Sequence, residues 1–230
     1  MKTKNRIWFC TLLGLGLFFT TNCKKDEDST SAASVTDADG NIYSTVSIGK
    51  QVWMKENLKT TKYNDGTPIP NITDYTAWEA LSTPSYCWYN NDAASYKAYY
   101  GALYNWYAVN TGKLCPTGWH VPIDIEWTIL TTYLGGNGVA GGKLKETSTI
   151  YWWSPNTGAT NETGFTALPG GERNYDGSYL DVGSYGRWWS STADMANSAY
   201  LRYVFWYTAL VYREAYLKSY GFSVRCLKDN

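Results

Sequence analysis

Ala199-Tyr200-Leu201-Arg202-Tyr203-Val204-Phe205-Trp206-Tyr207, followed closely by Leu210-Val211-Tyr212-Arg213-Glu214-Ala215-Tyr216-Leu217, is the stretch whose reading decides the fold. β-Branched and aromatic side chains favour a pleated surface, and two such runs separated by a short break predict neighbouring strands. In a half-exposed antiparallel sheet one face is polar. Here both alternating faces carry bulky apolar or aromatic residues, so either both faces are buried or one presents an aromatic surface to a partner.

Working outward, strands are expected over 199–205, 207–212 and 222–227. From Asn137 onward short β-type segments alternate with Gly, Asn and Asp, and Tyr175-Asp176-Gly177-Ser178 reads as a type I′ hairpin turn. Toward the N-terminus, residues 41–58 read as a hairpin around Gly49-Lys50. A short helix is expected near Tyr75–Leu81 and a longer one over 96–109, with Tyr99, Leu103 and Trp106 at helical spacing. A further helix follows Pro122, with Asp124 and Glu126 in its first turn and Gly135-Gly136 ending it; Ile123, Trp127, Leu130 and Leu134 share a face. The class is α+β, with two helices early and a β-rich C-terminal half.

The 230 residues contain 12 Trp and 21 Tyr but 6 Phe. Trp and Tyr join an apolar ring to a polar handle, which suits interfaces and half-buried sheets. Met1 to Asn22 has the parts of an export signal: Lys2, Lys4 and Arg6, then an apolar run from Ile7 to Phe19, which is too short to span a bilayer. With that signal removed, 17 basic residues face 20 acidic ones, and no basic stripe points to nucleic acid. Cys87, Cys115 and Cys226 remain in the domain. Three cysteines allow one bridge and spacing alone does not select it; Cys115–Cys226 is the expected pair, because it fastens the C-terminal strand to the middle of the domain, with Cys87 free and buried.

Cys23, just after the apolar run, resembles the lipidated cysteine of bacterial lipoproteins, although Thr20 stands where such a motif has Leu and Asn22 is larger than the usual Gly, Ala or Ser. The resemblance implies a chain anchored to a membrane through Cys23. Lys24-Lys25-Asp26-Glu27-Asp28 and Ser29 to Ser34 form a charged, then polar, run that cannot build a core. It is similar to the signal that sends some lipoproteins to the outer cell surface. The expected organisation is a signal peptide at 1–22, a tether at 23–36 and one domain at 37–230.

Trp53-Met54-Lys55-Glu56-Asn57-Leu58, Tyr100-Gly101-Ala102-Leu103-Tyr104-Asn105-Trp106, Cys115-Pro116-Thr117-Gly118-Trp119-His120-Val121-Pro122, Leu168-Pro169-Gly170-Gly171, Trp188-Trp189-Ser190-Ser191 and Gly221-Phe222-Ser223-Val224-Arg225-Cys226 stand in order. Together they resemble the Fibrobacter succinogenes major paralogous domain, a family of exported bacterial proteins, over about Asp37 to Asp229. More distantly the chain is similar to the formylglycine-generating, sulfatase-modifying group, which implies an irregular C-type-lectin-like fold.

Enzyme chemistry finds little support in the residues. The sulfatase-modifying relatives use two C-terminal cysteines, and none occurs between Gly170 and Tyr220; an iron-dependent group needs several histidines, and His120 stands alone. No Gly-x-Ser-x-Gly elbow occurs. A glycosidase needs only two acids in one cleft, and no pair is singled out. Asp124 and Glu126 fit the helix dipole. Tyr89-Asn90-Asn91-Asp92 reads as an Asx-rich turn rather than a calcium loop. No metal or cofactor is expected.

The expectation is therefore a non-enzymatic surface lipoprotein that grips a glycan or a protein through an aromatic C-terminal face, with Trp188, Trp189, Tyr203, Phe205, Tyr207 and Tyr212 as contacts. The lectin-like resemblance adds that such a face can be diversified by a retroelement. Arg202, Arg213, Lys218-Ser219 and Gly221-Phe222 would then be scaffold, with Leu201, Tyr203, Phe205, Tyr207, Leu210, Tyr212, Ala215, Leu217 and Tyr220 variable. The competing reading is a structural envelope protein whose aromatics are core or oligomer interface.

Overall fold

The computed structural model describes residues 33–230. Cys23, the signal segment and most of the expected tether lie outside them. In chain order the elements are β1 (Ser34–Thr36), β2 (Ile42–Ile48), β3 (Gln51–Met54), α1 (Tyr75–Glu79), β4 (Tyr86–Cys87), α2 (Ala93–Tyr100), β5 (Leu103–Tyr104) and α3 (Trp106–Val109). They continue with β6 (Trp119–His120), α4 (Asp124–Tyr133), α5 (Asn137–Leu144), β7 (Gly170–Arg173), β8 (Tyr179–Val182), β9 (Tyr185–Ala193), β10 (Ser198–Phe205), β11 (Val211–Leu217) and β12 (Leu227–Lys228). The protein is α+β, with strands dominating the C-terminal half. Ser34–Thr36, read as the end of the tether, pairs with Ile42–Ser44 as the first strand.

The β2–β3 hairpin turns at Gly49, φ 62°, with Ile48 opposite Gln51, as the sequence predicts. It joins a five-stranded sheet in the order β1-β2-β3-β12-β6, so the chain's last strand lies between elements from its first half. The Cys115–Cys226 disulfide closes the same junction and Cys87 is free and buried. A second sheet, ordered β11-β10-β9, is antiparallel throughout.

Several expected elements differ. The helix over 96–109 is divided into α2, β5 and α3. Gly101, at φ 72°, stops α2, and a Cβ there would lie 2.6 Å from the Leu58 carbonyl oxygen, so the chain must turn and pass close to residues 57–58. Asn137–Leu144 is a helix rather than β-type chain, so five α-helices, not two, occur among the described residues. Its glycines serve close approach: a Cβ on Gly141 or Gly142 would sit 2.3 Å from the carbonyl oxygen of Leu210 or Gly158. The β7–β8 hairpin closes through Asn174–Ser178, with Gly177 at φ 85° and the Ser178 carbonyl accepting from Asn174, so it is a longer loop than a two-residue type I′ turn. Residues 207–210 form the β10–β11 connection, and β11 starts at Val211. Phe222 and Ser223 make isolated bridges to Tyr104 and Trp188 before β12.

The interior is tryptophan-rich. Trp53, Trp127, Phe165 and Trp188 pack with ring centroids 4.8–6.3 Å apart in tilted or edge contacts, the geometry that ring quadrupoles favour. Asn57 organises the polar side of this core. Its Oδ1 accepts from Trp188 Nε1 (2.8 Å) and Arg225 Nη2 (2.7 Å), and its Nδ2 donates to the Tyr100 carbonyl (2.9 Å). The Arg225 guanidinium, fully buried, also donates to the Phe165 carbonyl and stacks 4.1 Å from the Phe165 ring. Burial pushes its pKa down to about 9. The residues that carried the family resemblance, Asn57, Trp188 and Arg225, are thus one buried network.

Candidate functional site

On one side of the β11-β10-β9 sheet the register aligns Ala199, Leu201, Tyr203 and Phe205 of β10. Tyr216, Glu214 and Tyr212 of β11 flank them on one side, and Trp189, Arg187 and Tyr185 of β9 on the other. Burial changes along this face. Leu201 and Trp189 are completely buried, and Trp189 Nε1 donates to the Tyr104 carbonyl at 2.8 Å. Two residues further along β10 the face opens. Tyr203 stacks on Tyr212 (4.7 Å between centroids, 6° between planes), Phe205 stacks on Tyr185 (4.0 Å, 18°), and both Tyr203 and Phe205 are half-buried. Tyr207 extends the patch from the connecting loop, 4.1 Å from Phe205 and 54% exposed.

The eleven residues expected to bind therefore do not form one surface. Trp188, Trp189 and Leu201 are corrected to core: they lie at the middle of the sheet, which α4 and the 222–224 segment cover from opposite sides. Ala215 and Leu217 project to the other side of β11, opposite Tyr200 and Ser198, and Leu210 lies on the loop. Tyr220 packs against Tyr216 (5.0 Å) and Phe222 (5.5 Å), beyond the Tyr203 stack. Tyr203, Phe205, Tyr207 and Tyr212 are brought together.

Three contributors escaped the sequence reading: Tyr185, Arg187 and Glu172. The run Tyr185-Gly186-Arg187 continues the alternation of Trp189 at period two, which is the signal that points to Tyr185 and Arg187; Glu172, on β7, has no such signal. Arg187 lies 3.9 Å from the Tyr185 ring centroid, 2.8 Å from Asp181 Oδ2 and 3.2 Å from Glu172 Oε2. Glu172 is buried, and desolvation outweighs its arginine partner, raising its carboxyl to about 7. Tyr203 donates to Glu214 Oε1 (2.9 Å); burial first, then that bond, holds the phenol well above its ordinary range. The Tyr203 phenol, and Tyr185, which burial also raises, thus stay uncharged beside the buried Arg187 guanidinium.

The loop that carries Tyr207 is fixed from below. Lys145, completely buried, donates from Nζ to the carbonyls of Phe205 (3.2 Å), Thr208 (2.9 Å) and Thr157 (2.9 Å). Burial lowers its pKa to about 8. On the opposite sheet surface Asp124 accepts from Arg202 Nη1 (2.5 Å) and Arg213 Nε (3.0 Å), tying α4 to β10 and β11. These two arginines thus share one carboxylate.

The remaining singled-out residues have structural partners. His120 lies between Glu126 (2.9 Å) and Asp229 (2.6 Å), which raise its pKa to about 9. Asn90 and Asn91 adopt positive φ in a tight turn, and Asp92 caps α2 through the Ser95 amide. Among the described residues no group of three or more His, Cys, Asp or Glu side chains is placed to hold a metal ion. No helix among them is long and apolar enough to cross a membrane.

Fold and face together describe a disulfide-fastened α+β domain carrying an open tyrosine-rich sheet surface. The model of the Fibrobacter succinogenes major domain matches residues 46–228, and the chain belongs to that family. No curated protein and no solved structure matches it significantly.

Proposed function

We propose that the protein is a lipid-anchored surface module, held through Cys23 at the outer membrane, that binds an external glycan or protein through the Tyr185–Tyr203–Phe205–Tyr207–Tyr212 face. The observation that carries this reading is the pair of parallel ring stacks, Tyr203 on Tyr212 and Phe205 on Tyr185, beside the exposed Tyr207. Pre-stacked rings lose little rotamer entropy on contact, and Tyr combines apolar area with a hydrogen-bonding tip, so such clusters serve as binding anchors. The Lys145 carbonyl clasp supports the same reading, since it fixes the backbone of the loop that presents Tyr207.

A C-type-lectin-like fold and retroelement diversification belong to this proposal. Of the positions proposed to vary, Tyr203, Phe205, Tyr207 and Tyr212 lie on the face. Leu201 is core, so a surviving diversification scheme would spare it. No catalytic step is proposed.

The test is a glycan-array and cell-surface screen of the chain as cells process it, purified in mild detergent, with sedimentation run in parallel. Saturable binding to a surface ligand by monomeric protein supports the proposal. Stable self-association without binding to any surface favours the structural envelope reading. Mass spectrometry of the mature N-terminus checks the anchor, which an unmodified Cys23 or cleavage elsewhere would remove.

A further inference from the structure

Away from the sheet face, a groove of about 580 Å³ lies between α2, the segment 149–154 and the end of β8. Its size falls within the range of ligand pockets, roughly 300–1,000 Å³. Tyr96, Tyr100, Tyr151 and Trp153 supply its rings, and Thr149 and Ser154 add hydroxyls. No acidic or basic side chain lines it. The Tyr100 phenol is pushed up to about 12, by burial first and then by the neighbouring phenols of Tyr151 and Tyr96. Tyr100 therefore stays uncharged and able to donate, in a groove otherwise lined by rings, hydroxyls and apolar side chains.

Trp153 sets the chemistry of the site. It is 56% exposed, whereas every other tryptophan among the described residues is buried or half-buried. Its backbone is held on both sides. Its backbone amide donates to the Gly183 carbonyl (2.9 Å) and its own carbonyl accepts from Asn156 (3.1 Å). The Nε1–Cδ1 edge of its ring packs against Gly183: a Cβ at that position would meet Nε1 at 2.5 Å and Cδ1 at 2.8 Å. Gly183 sits at φ 85°, a conformation that glycine adopts without strain. Glycine at 183 thus leaves the room that an exposed indole needs beside a groove without charged lining. Tyr151, 5.6 Å from Tyr99 and 6.3 Å from Tyr100, forms the facing wall.

An exposed indole sharing a groove with tyrosine rings, with no charged lining, matches one ligand chemistry. The apolar C–H face of a pyranose packs on an aromatic ring, and its hydroxyls need neutral donors and acceptors. A charged headgroup, phosphate or uronate would find no counter-ion here. We infer that this groove is a second binding site, for neutral pyranose units, with Trp153 as the stacking platform and Tyr151 and Tyr100 as the hydrogen-bonding wall. The inference stands independently of the sheet face. The rings do continue toward that face, because Trp206 lies 6.3 Å from Trp153 and 5.3 Å from Tyr207.

The experiment is calorimetric titration of the processed chain, in a detergent without a sugar headgroup, against cellohexaose, xylohexaose and mannohexaose, with oligogalacturonate as the acidic control. At least one neutral oligomer is expected to bind saturably. Trp153→Ala and Tyr151→Ala should each weaken it by about tenfold or more, as loss of an anchoring ring does. Trp153→Phe, which keeps a ring on the same backbone, should retain most of the affinity and guards against misfolding in the alanine variants. Tyr203→Ala with Tyr212→Ala should leave hexaose binding within about threefold, because distant sites act independently; this separates failure of the groove from failure of the sheet face. The inference is overturned if no neutral hexaose binds at millimolar concentration, if only the acidic oligomer binds, or if Trp153→Ala and Tyr151→Ala bind as the wild type does.

Discussion

Two aromatic regions of this protein are built from similar residues to opposite ends. Around Trp53, Trp127, Trp188 and Phe165 the rings meet edge-on or tilted and exclude water, and the Trp188 indole N–H is satisfied by Asn57. Around Tyr185, Tyr203, Phe205 and Tyr212 the rings form two nearly parallel pairs, tilted 55° to each other at Tyr185 and Tyr203, and lie half in solvent. The first arrangement interlocks side chains from distant segments, whereas the second lays them side by side on one sheet. Interlocking contributes to stability; stacked pairs half in solvent leave ring surface available to something else.

The contrast breaks if truncation costs the same in both regions. Trp188→Ala leaves a cavity and strips Asn57 of a donor, and should destabilise by about 5 kcal/mol in chemical denaturation, or prevent folding. Asn57→Ala leaves the Trp188 indole and the buried Arg225 guanidinium without their shared acceptor, with an expected loss of about 4 kcal/mol. Replacing Cys115 and Cys226 together by Ala frees a loop spanning 111 residues of sequence separation, and should lower stability by roughly 3 kcal/mol. Tyr203→Ala, by comparison, removes one stack and one exposed hydrogen bond and should cost only about 1 kcal/mol. A Tyr203→Ala loss as large as that of Trp188→Ala would make the face a core by another name.

The smallest effect is the pH dependence of the His120 clasp. Its folded pKa, about 9, lies above the ordinary 6.5 because Glu126 and Asp229 flank the ring. The stabilising contribution is therefore complete below about pH 6.5 and is lost as pH rises through about 9. The ring and Asp229 are partly solvent-exposed, so the loss should be on the order of 1 kcal/mol or less. It appears as the part of the difference between urea midpoints at neutral and alkaline pH that His120→Ala removes.

What the sequence made legible is what short-range chemistry controls. The β2–β3 hairpin follows from alternation around Gly49, α4 from its acidic first turn and the Gly135-Gly136 stop, and Cys115–Cys226 from the need to fasten the last strand. What escaped it depends on distant backbone. Gly141 and Gly142 read as breakers, yet they sit in α5 because the carbonyls of Leu210 and Gly158 press against that helix. Gly101 ends α2 because the Leu58 carbonyl passes there. At the candidate site, period-two alternation puts Tyr203 and Phe205 on one side of β10, where Tyr212 of β11 joins them. It had no means of telling that Leu201, on the same side, is covered at the sheet's middle. Trp188 and Trp189 are adjacent and point to opposite sides, so only burial of both sides accounts for them. The exposed Trp153 follows a buried Trp152 in sequence, and no local pattern separates the pair.

The most direct measurement compares the affinity of the wild type and a Tyr203→Ala/Tyr207→Ala double variant for the best ligand from the surface screen, after confirming that both unfold cooperatively at similar denaturant. Loss of two anchoring rings should weaken binding by about a hundredfold with folding intact. Unchanged affinity in the folded double variant would contradict the assignment of this face as the binding surface.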